Sequence, residues 1–184
     1  MGGRLRGSRR AVFLDRDGVL NRAIIRAGKP YPPSSLAELE VLPDASAALM
    51  QLKRAGLALI VVTNQPDVSR GTQTVAAVEA MHSHLRNVLP LDDILVCYHD
   101  DHDGCNCRKP QPGLLLEAAR RYDVQLASSF MVGDRWRDID AGLNAGVRTV
   151  LIDFGYGERQ PTRPPAARVA SLSEAAEWII RQID

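Results

Sequence analysis

Several features are scarce in this sequence, and each scarcity excludes a class of protein. Lys and Arg number 23 against 22 Asp and Glu, so a net charge of +1 offers no field for nucleic acid or a membrane surface. The longest apolar run, residues 57–62, is far too short to span a bilayer. The apolar run after the basic N-terminus is also too short for a secretory signal. These observations predict a cytoplasmic protein that binds neither nucleic acid nor membrane.

The length of 184 residues is enough for one domain with a sizeable core. Hydrophobic residues make up 45% and charged residues 24%, which is ordinary for a globular protein. We expect residues 1–9 to form a flexible basic arm and residues 10–184 to form a single domain. Nothing in the sequence indicates a large exposed apolar surface, so we expect a monomer.

Cysteine is also scarce, with only three in the chain, yet all three lie close together as C-x-H-x5-C-x-C. The pattern consists of Cys97, His99, Cys105 and Cys107. Three thiols and an imidazole are the ligand set of a closed, tetrahedral, structural zinc site. Clustered cysteines beside a histidine favour a metal in a reducing compartment over disulfides. Free buried or redox-active thiols are the alternative, and His102 is a competing fourth ligand.

Short apolar runs alternate with helical patterns along the chain. Buried strands are predicted at 11–14, 57–62, 94–96, 129–132 and 148–152. Helices are predicted at 44–55, 71–89, 112–122, 139–145 and 172–182, and loops at 22–42 and 159–168. This alternation is typical of the α/β class, a doubly wound parallel sheet with helices on both faces. We expect residues 22–42 to form a surface flap rather than a cap domain, and His82 and His84 to be surface residues.

Polar side chains follow four of the predicted strands, where ligands bind in such sheets. Asp15 and Asp17 follow the first strand, and Asp134 follows the fourth. Three carboxylates brought together repel one another, and a magnesium ion with its preference for oxygen ligands relieves that repulsion. Thr63 follows the second strand, and Lys109 follows the cysteine cluster. A hydroxyl donor and an ammonium suit a phosphoryl group.

Such a site allows aspartyl-phosphate chemistry. Asp15 can attack phosphorus, and Asp17 can protonate the leaving alcohol and then activate water. Each motif also has an ordinary explanation, since D-x-D, Thr63-Asn64 and Gly133-Asp134 occur at caps and turns. Arg108-Lys109 alone is typically a solvated pair. Their order at successive strand ends favours the catalytic interpretation.

These motifs resemble those of the haloacid dehalogenase superfamily of phosphohydrolases. The matching segments are DRDGVLN at 15–21, VVTNQ at 61–65, RKP at 108–110 and GDRWRD at 133–138. Within the superfamily the chain is similar to the capless subgroup with a zinc-binding loop. That subgroup contains the D-glycero-D-manno-heptose 1,7-bisphosphate 7-phosphatases and the histidinol-phosphate phosphatases.

The resemblance implies roles for individual residues. Asp15 is the expected nucleophile and Asp17 the general acid and base. Magnesium is expected on Asp15, the backbone carbonyl of Asp17, and Asp134. Thr63 and Lys109 are expected to stabilise the transferring phosphoryl group, with Asp138 supporting the site through Lys109. The expected substrate contacts are Asn21, Asn64, Arg70 and Arg108.

The two subgroups compete as sources of the substrate. The stretch 64–71 and Asn21 resemble the heptose enzymes, whereas the gap of five residues between His99 and Cys105 resembles the histidinol-phosphate enzymes. Arg70 and Arg108 suit a second phosphate, because guanidinium groups pair bidentately with phosphate. The carboxylates that suit the cationic amine of histidinol phosphate are Asp100, Asp101 and Asp103. We favour a sugar bisphosphate.

Two other classes of protein share parts of the pattern. A receiver-like signalling domain also uses an aspartate, magnesium, a threonine and a lysine, but it retains its phosphate. Asp17 argues against it, because a nearby general base shortens the lifetime of the intermediate. A zinc-dependent nucleic-acid module conflicts with the near-neutral charge. A phosphotransferase differs only in its acceptor, and the sequence leaves that option open.

Overall fold

The computed structural model describes residues 9–183. Its strands are β1 (Ala11–Leu14), β2 (Ile24–Arg26), β3 (Lys29–Tyr31), β4 (Ala58–Asn64), β5 (Asp93–Cys97), β6 (Phe130–Gly133), β7 (Arg148–Ile152) and β8 (Ala167–Val169). Its α-helices are α1 (Ala45–Arg54), α2 (Val75–Val88), α3 (Gly113–Tyr122), α4 (Trp136–Ala145) and α5 (Leu172–Ile183). Short 3-10 turns occupy Leu36–Glu38, Asp101–Asp103 and Leu126–Ser128.

Six strands form one parallel sheet in the order β5-β4-β1-β6-β7-β8. The chain builds the β4 and β5 side of β1 first and then returns to build the other side from β6. The order therefore reverses at β1, and a crevice opens beyond the carboxyl ends of β1, β4 and β6. This arrangement confirms the predicted doubly wound α/β fold.

The central strands are buried on both faces, which explains their continuous apolar sequences. Val12 and Leu14 of β1 point to one side, where α1 and α5 contribute Leu49 and Ile179. Phe13 points to the other side, into a core shared with α3 and α4. Side chains alternate because successive Cβ atoms leave a strand on opposite faces. Both layers of helices therefore cover the sheet and leave its ends open.

The connection at 22–42 contains an antiparallel hairpin of β2 and β3. Ala27 and Gly28 form its turn, and both have positive φ angles, 48° and 74°. Two consecutive positive φ angles match the twist of a tight hairpin turn. The segment is a flap and not a cap domain, as predicted, but the sequence did not predict the hairpin within it.

Several boundaries differ from the sequence prediction. Helix α2 begins at Val75, four residues after the expected 71, because the Thr74 hydroxyl accepts the backbone N–H of Ala77 and caps the helix. Helix α4 begins at Trp136, three residues before the expected Ile139, because the Asp138 carboxylate accepts the backbone N–H of Arg135 and caps the helix. The expected loop at 159–168 runs into the edge strand β8, which pairs with β7. A strand of three residues is too short to show a clear alternating pattern.

The predicted basic arm, residues 1–9, lies outside the described residues except for Arg9. The backbone N–H of Arg9 donates to the Asp123 carbonyl at 2.9 Å, and its carbonyl accepts from Gln125 at 2.8 Å. Arg9 therefore belongs to the domain, one residue earlier than expected. Within residues 9–183, no helix is both long and apolar enough to cross a membrane.

Candidate active site

A cavity opens at the carboxyl ends of β1, β4 and β6. Seven of the predicted site residues line it: Asp15, Asp17, Asn64, Arg70, Arg108, Lys109 and Asp134. Residues 29–32 of the flap cover one side. Thr63 and Asn21 are buried and do not line the cavity. The fold thus brings together side chains that are more than 100 positions apart in the sequence.

The buried Lys109 side chain stands at the centre of the site. Its Nζ lies 2.8 Å from Asp15 Oδ1, 2.6 Å from Asp138 Oδ1 and 2.7 Å from the Val62 carbonyl oxygen. Burial alone lowers the pKa of a lysine, but the charges of Asp138 and Asp15 outweigh it and raise the pKa of Lys109. Lys109 is therefore a fixed cation beside Asp15, and Asp138 supports it as expected.

Asn64 holds the backbone of Lys109 in place. Its Nδ2 donates to the Lys109 carbonyl at 3.0 Å, and its Oδ1 accepts the Lys109 N–H at 3.1 Å. Because both halves of the amide are occupied, Asn64 orients Lys109 in this structure. The sequence interpretation of Asn64 as a substrate contact overlooked this pairing.

The acidic wall of the cavity is crowded. Asp15, Asp134 and Asp138 each offer an oxygen, and these atoms lie within 4.8 Å of one another. Burial, followed by the charge of Asp138, raises the pKa of Asp15 to about 6. Burial, followed by the charges of Asp138 and Asp15, raises the pKa of Asp134 well above its ordinary value. Three buried carboxylates this close favour a bound cation.

The carboxylates are not equally available to such a cation. Asp138 is committed, because Oδ1 contacts Lys109 and Oδ2 accepts the Arg135 N–H at 3.0 Å. Both oxygens of Asp134 are buried, and among residues 9–183 neither has a hydrogen bond of good geometry, although the nearby Tyr156 hydroxyl acts to lower the pKa of Asp134. A buried acceptor without a partner is costly unless a cation meets it. Asp134 and Asp15 are therefore the side chains that fit a magnesium ion.

Gly18 allows the Asp134 carboxylate to approach the loop after β1 closely. Its φ angle is +83°, and a Cβ at this position would collide with the Asp134 carboxylate. Glycine is needed here both for its backbone conformation and for space.

Asp17 is held by three side chains. Arg16 donates from Nε at 3.1 Å and from Nη2 at 3.0 Å, Asn21 Nδ2 donates at 2.9 Å, and Gln65 Nε2 donates at 2.9 Å. Burial works to raise the pKa of Asp17, but the Arg16 charge and these hydrogen bonds outweigh it and lower the pKa. Asn21, predicted as a substrate contact, is buried and orients Asp17.

Gln65 joins Asp17 to Thr63. The same Gln65 Nε2 that contacts Asp17 also donates to Thr63 Oγ1 at 2.9 Å. Because the Thr63 hydroxyl accepts this bond, its own proton remains available to donate. Gln65 lies in the motif at 61–65, and the sequence predicts no role for it because an amide has no distinctive local signal.

The prediction of a surface position is wrong for His82, which is buried. Its Nε2 lies 3.2 Å from Nη1 of Arg16, whose side chain is also buried. The helical spacing of apolar residues could have predicted this burial, since Val78, Met81 and Leu85 share the buried face of α2 with His82. His84 is exposed, as expected.

Ion pairs form the outer rim of the cavity. Arg70 donates from Nε and Nη2 to the two oxygens of Asp100, each at 2.7 Å. Asp101 accepts from Arg108 Nε at 2.8 Å and from Arg137 Nη1 at 2.9 Å. The rim therefore presents guanidinium groups whose orientation is set by carboxylates of the cysteine loop.

The cysteine loop forms a compact cluster that can hold a metal ion. The Sγ–Sγ distances are 3.1 Å, 3.4 Å and 3.7 Å, and His99 Nδ1 lies 3.5 Å from Cys97 and 3.3 Å from Cys107. All three cysteines are free, and these separations are comparable with the edge of about 3.8 Å that four Zn–S bonds impose. His102 is exposed and lies outside the cluster, so His99 is the imidazole of the set.

Comparisons with known proteins agree with this geometry. Residues 106–175 match the model of the HAD-hydrolase-like family. A D-glycero-beta-D-manno-heptose-1,7-bisphosphate 7-phosphatase of Pseudomonas putida is 36% identical over 156 residues, covering 80% of this chain and 85% of the relative. This chain belongs to the haloacid dehalogenase superfamily of phosphatases. The enzyme of the same name from Escherichia coli K12 is 34% identical over 187 residues, covering 94% of this chain and 89% of the relative.

Solved structures of this superfamily share the fold. A D,D-heptose 1,7-bisphosphate phosphatase from Bordetella bronchiseptica, complexed with magnesium and phosphate, superposes with a TM-score of 0.76 at 31% identity. The match covers 94% of this chain and 99% of the other. A putative HAD-like phosphatase from Mesorhizobium loti gives the same TM-score at 30% identity, covering 100% of this chain and 91% of the other.

Proposed function

We propose that this haloacid dehalogenase-type phosphatase removes the 7-phosphate of D-glycero-β-D-manno-heptose 1,7-bisphosphate in a magnesium-dependent reaction. The observation that carries the chemistry is the Lys109 ammonium, 2.8 Å from Asp15. Beside it lies the buried Asp134 carboxylate, which makes no hydrogen bond of good geometry within residues 9–183. The choice of sugar follows the relatives, whose names specify this substrate.

Magnesium fits the donor set, because the available groups are carboxylate oxygens. We assign Asp15, Asp134 and the backbone carbonyl of Asp17 as its protein ligands. Bound there, magnesium would neutralise the charge of the phosphoryl group and allow an anionic nucleophile to approach it.

The residues then divide the reaction into two steps. In the first, an Asp15 carboxylate oxygen bonds to phosphorus while the bond from phosphorus to the sugar oxygen breaks, and Asp17 gives its proton to that oxygen. In the second, Asp17 takes a proton from water, whose oxygen bonds to phosphorus as the bond to Asp15 breaks. Asp17 then passes the proton that it took from water to the departing inorganic phosphate, and Asp15 and Asp17 return to their ionised starting forms.

The environment of Asp17 suits its role as a base. The lowered pKa keeps the carboxylate ionised, which is the form that deprotonates water. Its role as an acid requires a proton that arrives with the phosphorylated substrate. The bonds from Arg16, Asn21 and Gln65 keep the carboxylate aimed while it alternates between these forms.

Lys109 and Thr63 serve the transferring phosphoryl group. Lys109 already has its charge next to the nucleophile, so no reorganisation is needed as negative charge shifts. The Thr63 hydroxyl, which accepts from Gln65, directs its proton to a phosphoryl oxygen. Asn64 holds the Lys109 backbone and so keeps the ammonium next to the nucleophile.

The rim supports a second anionic group on the substrate. We assign Arg70 and Arg108 to the 1-phosphate, and Nη1 of Arg108 is buried without a hydrogen-bond partner within residues 9–183. Histidinol phosphate needs carboxylates that are free to meet its amine. Asp100 and Asp101 are instead paired with arginines, and Asp103 accepts from Ser69 at 2.9 Å. Arg108 Nη1, which has no hydrogen-bond partner among the described residues, therefore favours the bisphosphate, whose 1-phosphate can accept from it.

We further propose that the metal of the cysteine cluster is zinc and that its role is structural. Four protein ligands leave no open position for water, so this metal takes no part in hydrolysis. Reduced cysteines are expected in the cytoplasm. A monomer remains our prediction for the oligomeric state, to be measured by sedimentation.

The test is phosphate release with magnesium from three substrates: the α and β anomers of the heptose bisphosphate, and histidinol phosphate. We expect the β bisphosphate to have a kcat/KM about 100-fold or more above that of histidinol phosphate, equal to about 2.7 kcal/mol of transition-state binding. A preference for histidinol phosphate would overturn the substrate assignment. Stable labelling of Asp15 without turnover would indicate a receiver-like phosphate acceptor.

A further inference from the structure

We infer that His82 is a positioning residue that aligns the general acid Asp17 through Arg16, without contacting the substrate. The inference rests on the proposed role of Asp17. It gives a function to the buried polar side chain of His82, which the reaction scheme does not otherwise use.

Arg16 connects the two residues. One edge of its guanidinium, Nε and Nη2, donates to the Asp17 carboxylate at 3.0 to 3.1 Å. The remaining nitrogen, Nη1, points to His82 Nε2 at 3.2 Å. A guanidinium is planar, so fixing Nη1 also fixes the edge that faces Asp17. The orientation of Asp17 therefore depends on an acceptor at the position of His82 Nε2.

His82 is arranged to be that acceptor. Arginine can only donate, so the imidazole must keep Nε2 unprotonated and carry its proton on Nδ1. Nδ1 lies 3.0 Å from Glu79 Oε1, which accepts this proton and selects the same tautomer. Burial, followed by the charge of Arg16, lowers the pKa of His82 and keeps the ring neutral. Both ring nitrogens thus serve one arrangement.

The network continues to the metal loop. The Tyr98 hydroxyl donates to the same Glu79 oxygen at 2.7 Å, and Tyr98 lies between the cluster residues Cys97 and His99. A buried polar side chain costs stability unless it is hydrogen-bonded, and α2 otherwise presents Val78, Met81 and Leu85 to the core. An apolar residue at 82 would serve packing alone, so the hydrogen bond to Arg16 is the distinctive property of His82.

The test uses the leaving group, because a purely structural residue has no reason to distinguish leaving groups. The variants are His82→Leu, which removes the acceptor, and His82→Gln, which restores one. His84→Leu is the matched control, since His84 is exposed on the same helix. The substrates are the heptose bisphosphate, whose leaving alkoxide needs a proton, and p-nitrophenyl phosphate, whose leaving group does not. The quantity is kcat/KM, which covers the steps up to cleavage.

We expect His82→Leu to lower kcat/KM for the sugar phosphate about tenfold, from misalignment of the acid, and to leave p-nitrophenyl phosphate within about twofold. His82→Gln should recover most of the loss, and His84→Leu should match the unchanged protein. Equal losses on both substrates, or no loss on the sugar phosphate, would overturn the inference.

Two further variants keep the result interpretable. Asp17→Asn should show the same preference for the activated substrate, but more strongly. If Asp17→Asn lacks that preference, the acid role and the inference fall together; if only His82→Leu lacks it, the inference alone fails. If His82→Leu does not fold, Glu79→Ala is the deciding variant. Glu79 is half-exposed, and its truncation removes the acceptor that selects the tautomer of His82. Glu79→Ala should lower kcat/KM for the sugar phosphate by a smaller factor and again spare p-nitrophenyl phosphate. Equal effects on the two substrates would count against the inference.

Discussion

The Asn64 side chain pairs with both backbone groups of Lys109, accepting from its N–H at 3.1 Å and donating to its carbonyl at 3.0 Å. This pairing links the end of β4 to the segment after the cysteine cluster. It places the Lys109 ammonium against Asp15, so an uncharged residue controls the position of the central cation.

Asn64→Ala should therefore lower kcat about tenfold or more while KM changes little, because a displaced Lys109 affects the transition state more than binding. The unpaired backbone groups should also cost about 1–3 kcal/mol of unfolding free energy. Steady-state kinetics and urea unfolding measure the two effects. A change confined to KM would favour the original interpretation of Asn64 as a substrate contact.

Asp15→Asn should reduce phosphate release by about a thousandfold or more, because an amide is a poor nucleophile. The fold should persist, since the amide oxygen can still accept from Lys109, which keeps Asp138 and the Val62 carbonyl. Asp92→Asn is the control, because Asp92 lies at the amino end of β5, away from the carboxyl ends of the strands that form the cavity. Substantial residual turnover would remove Asp15 as the nucleophile.

Gly18→Ala should strongly raise the magnesium concentration needed for half-maximal activity, because the new methyl group meets the Asp134 carboxylate. Gly28→Ala is the matched control, since its φ of +74° is similar but a Cβ there meets nothing within 4 Å. Both should lose about 1–2 kcal/mol from backbone strain. A magnesium titration separates them, and equal magnesium dependence in the two variants would contradict the collision.

Cys105→Ser should lower zinc content and the melting temperature by several degrees, because a structural metal contributes folding free energy. Activity per folded molecule should change much less. Metal analysis and thermal unfolding, in parallel with assays below the melting temperature, check this. Lost activity at full zinc occupancy and unchanged melting temperature would contradict the structural role.

The stability of the protein should depend on His82 below about pH 6.5. Burial and Arg16 lower its folded pKa below the ordinary value of 6.5, so between the two values the unfolded chain binds a proton that the folded protein does not. Stability therefore falls as pH drops through 6.5, by at most about 1.4 kcal/mol per unit from this group. His82→Gln should lose this component. Urea unfolding at pH 7.5 and 5.5 gives the difference, and parallel slopes for both proteins would exclude it.

Much of the fold was predictable because its signals are local. Continuous apolar runs marked β1, β4 and β6, and the predicted C-terminal ends of α1 and α2 lie within one residue of the observed ends. The short β8 and the β2–β3 hairpin were missed, because three residues carry too little periodicity. The early start of α4 was missed because its cap lies within the motif that supplies Asp134.

The sequence by itself determined which chemical groups are present and that they follow successive strands: three aspartates, a threonine, a lysine and a cluster of cysteines. Only the tertiary structure decided how these groups are held. Asn21 orients Asp17, Asn64 clamps Lys109, and the rim carboxylates are occupied by arginines. The physical reason is that a buried polar side chain takes its partner from whichever element packs against it, and that choice is made only when distant segments meet.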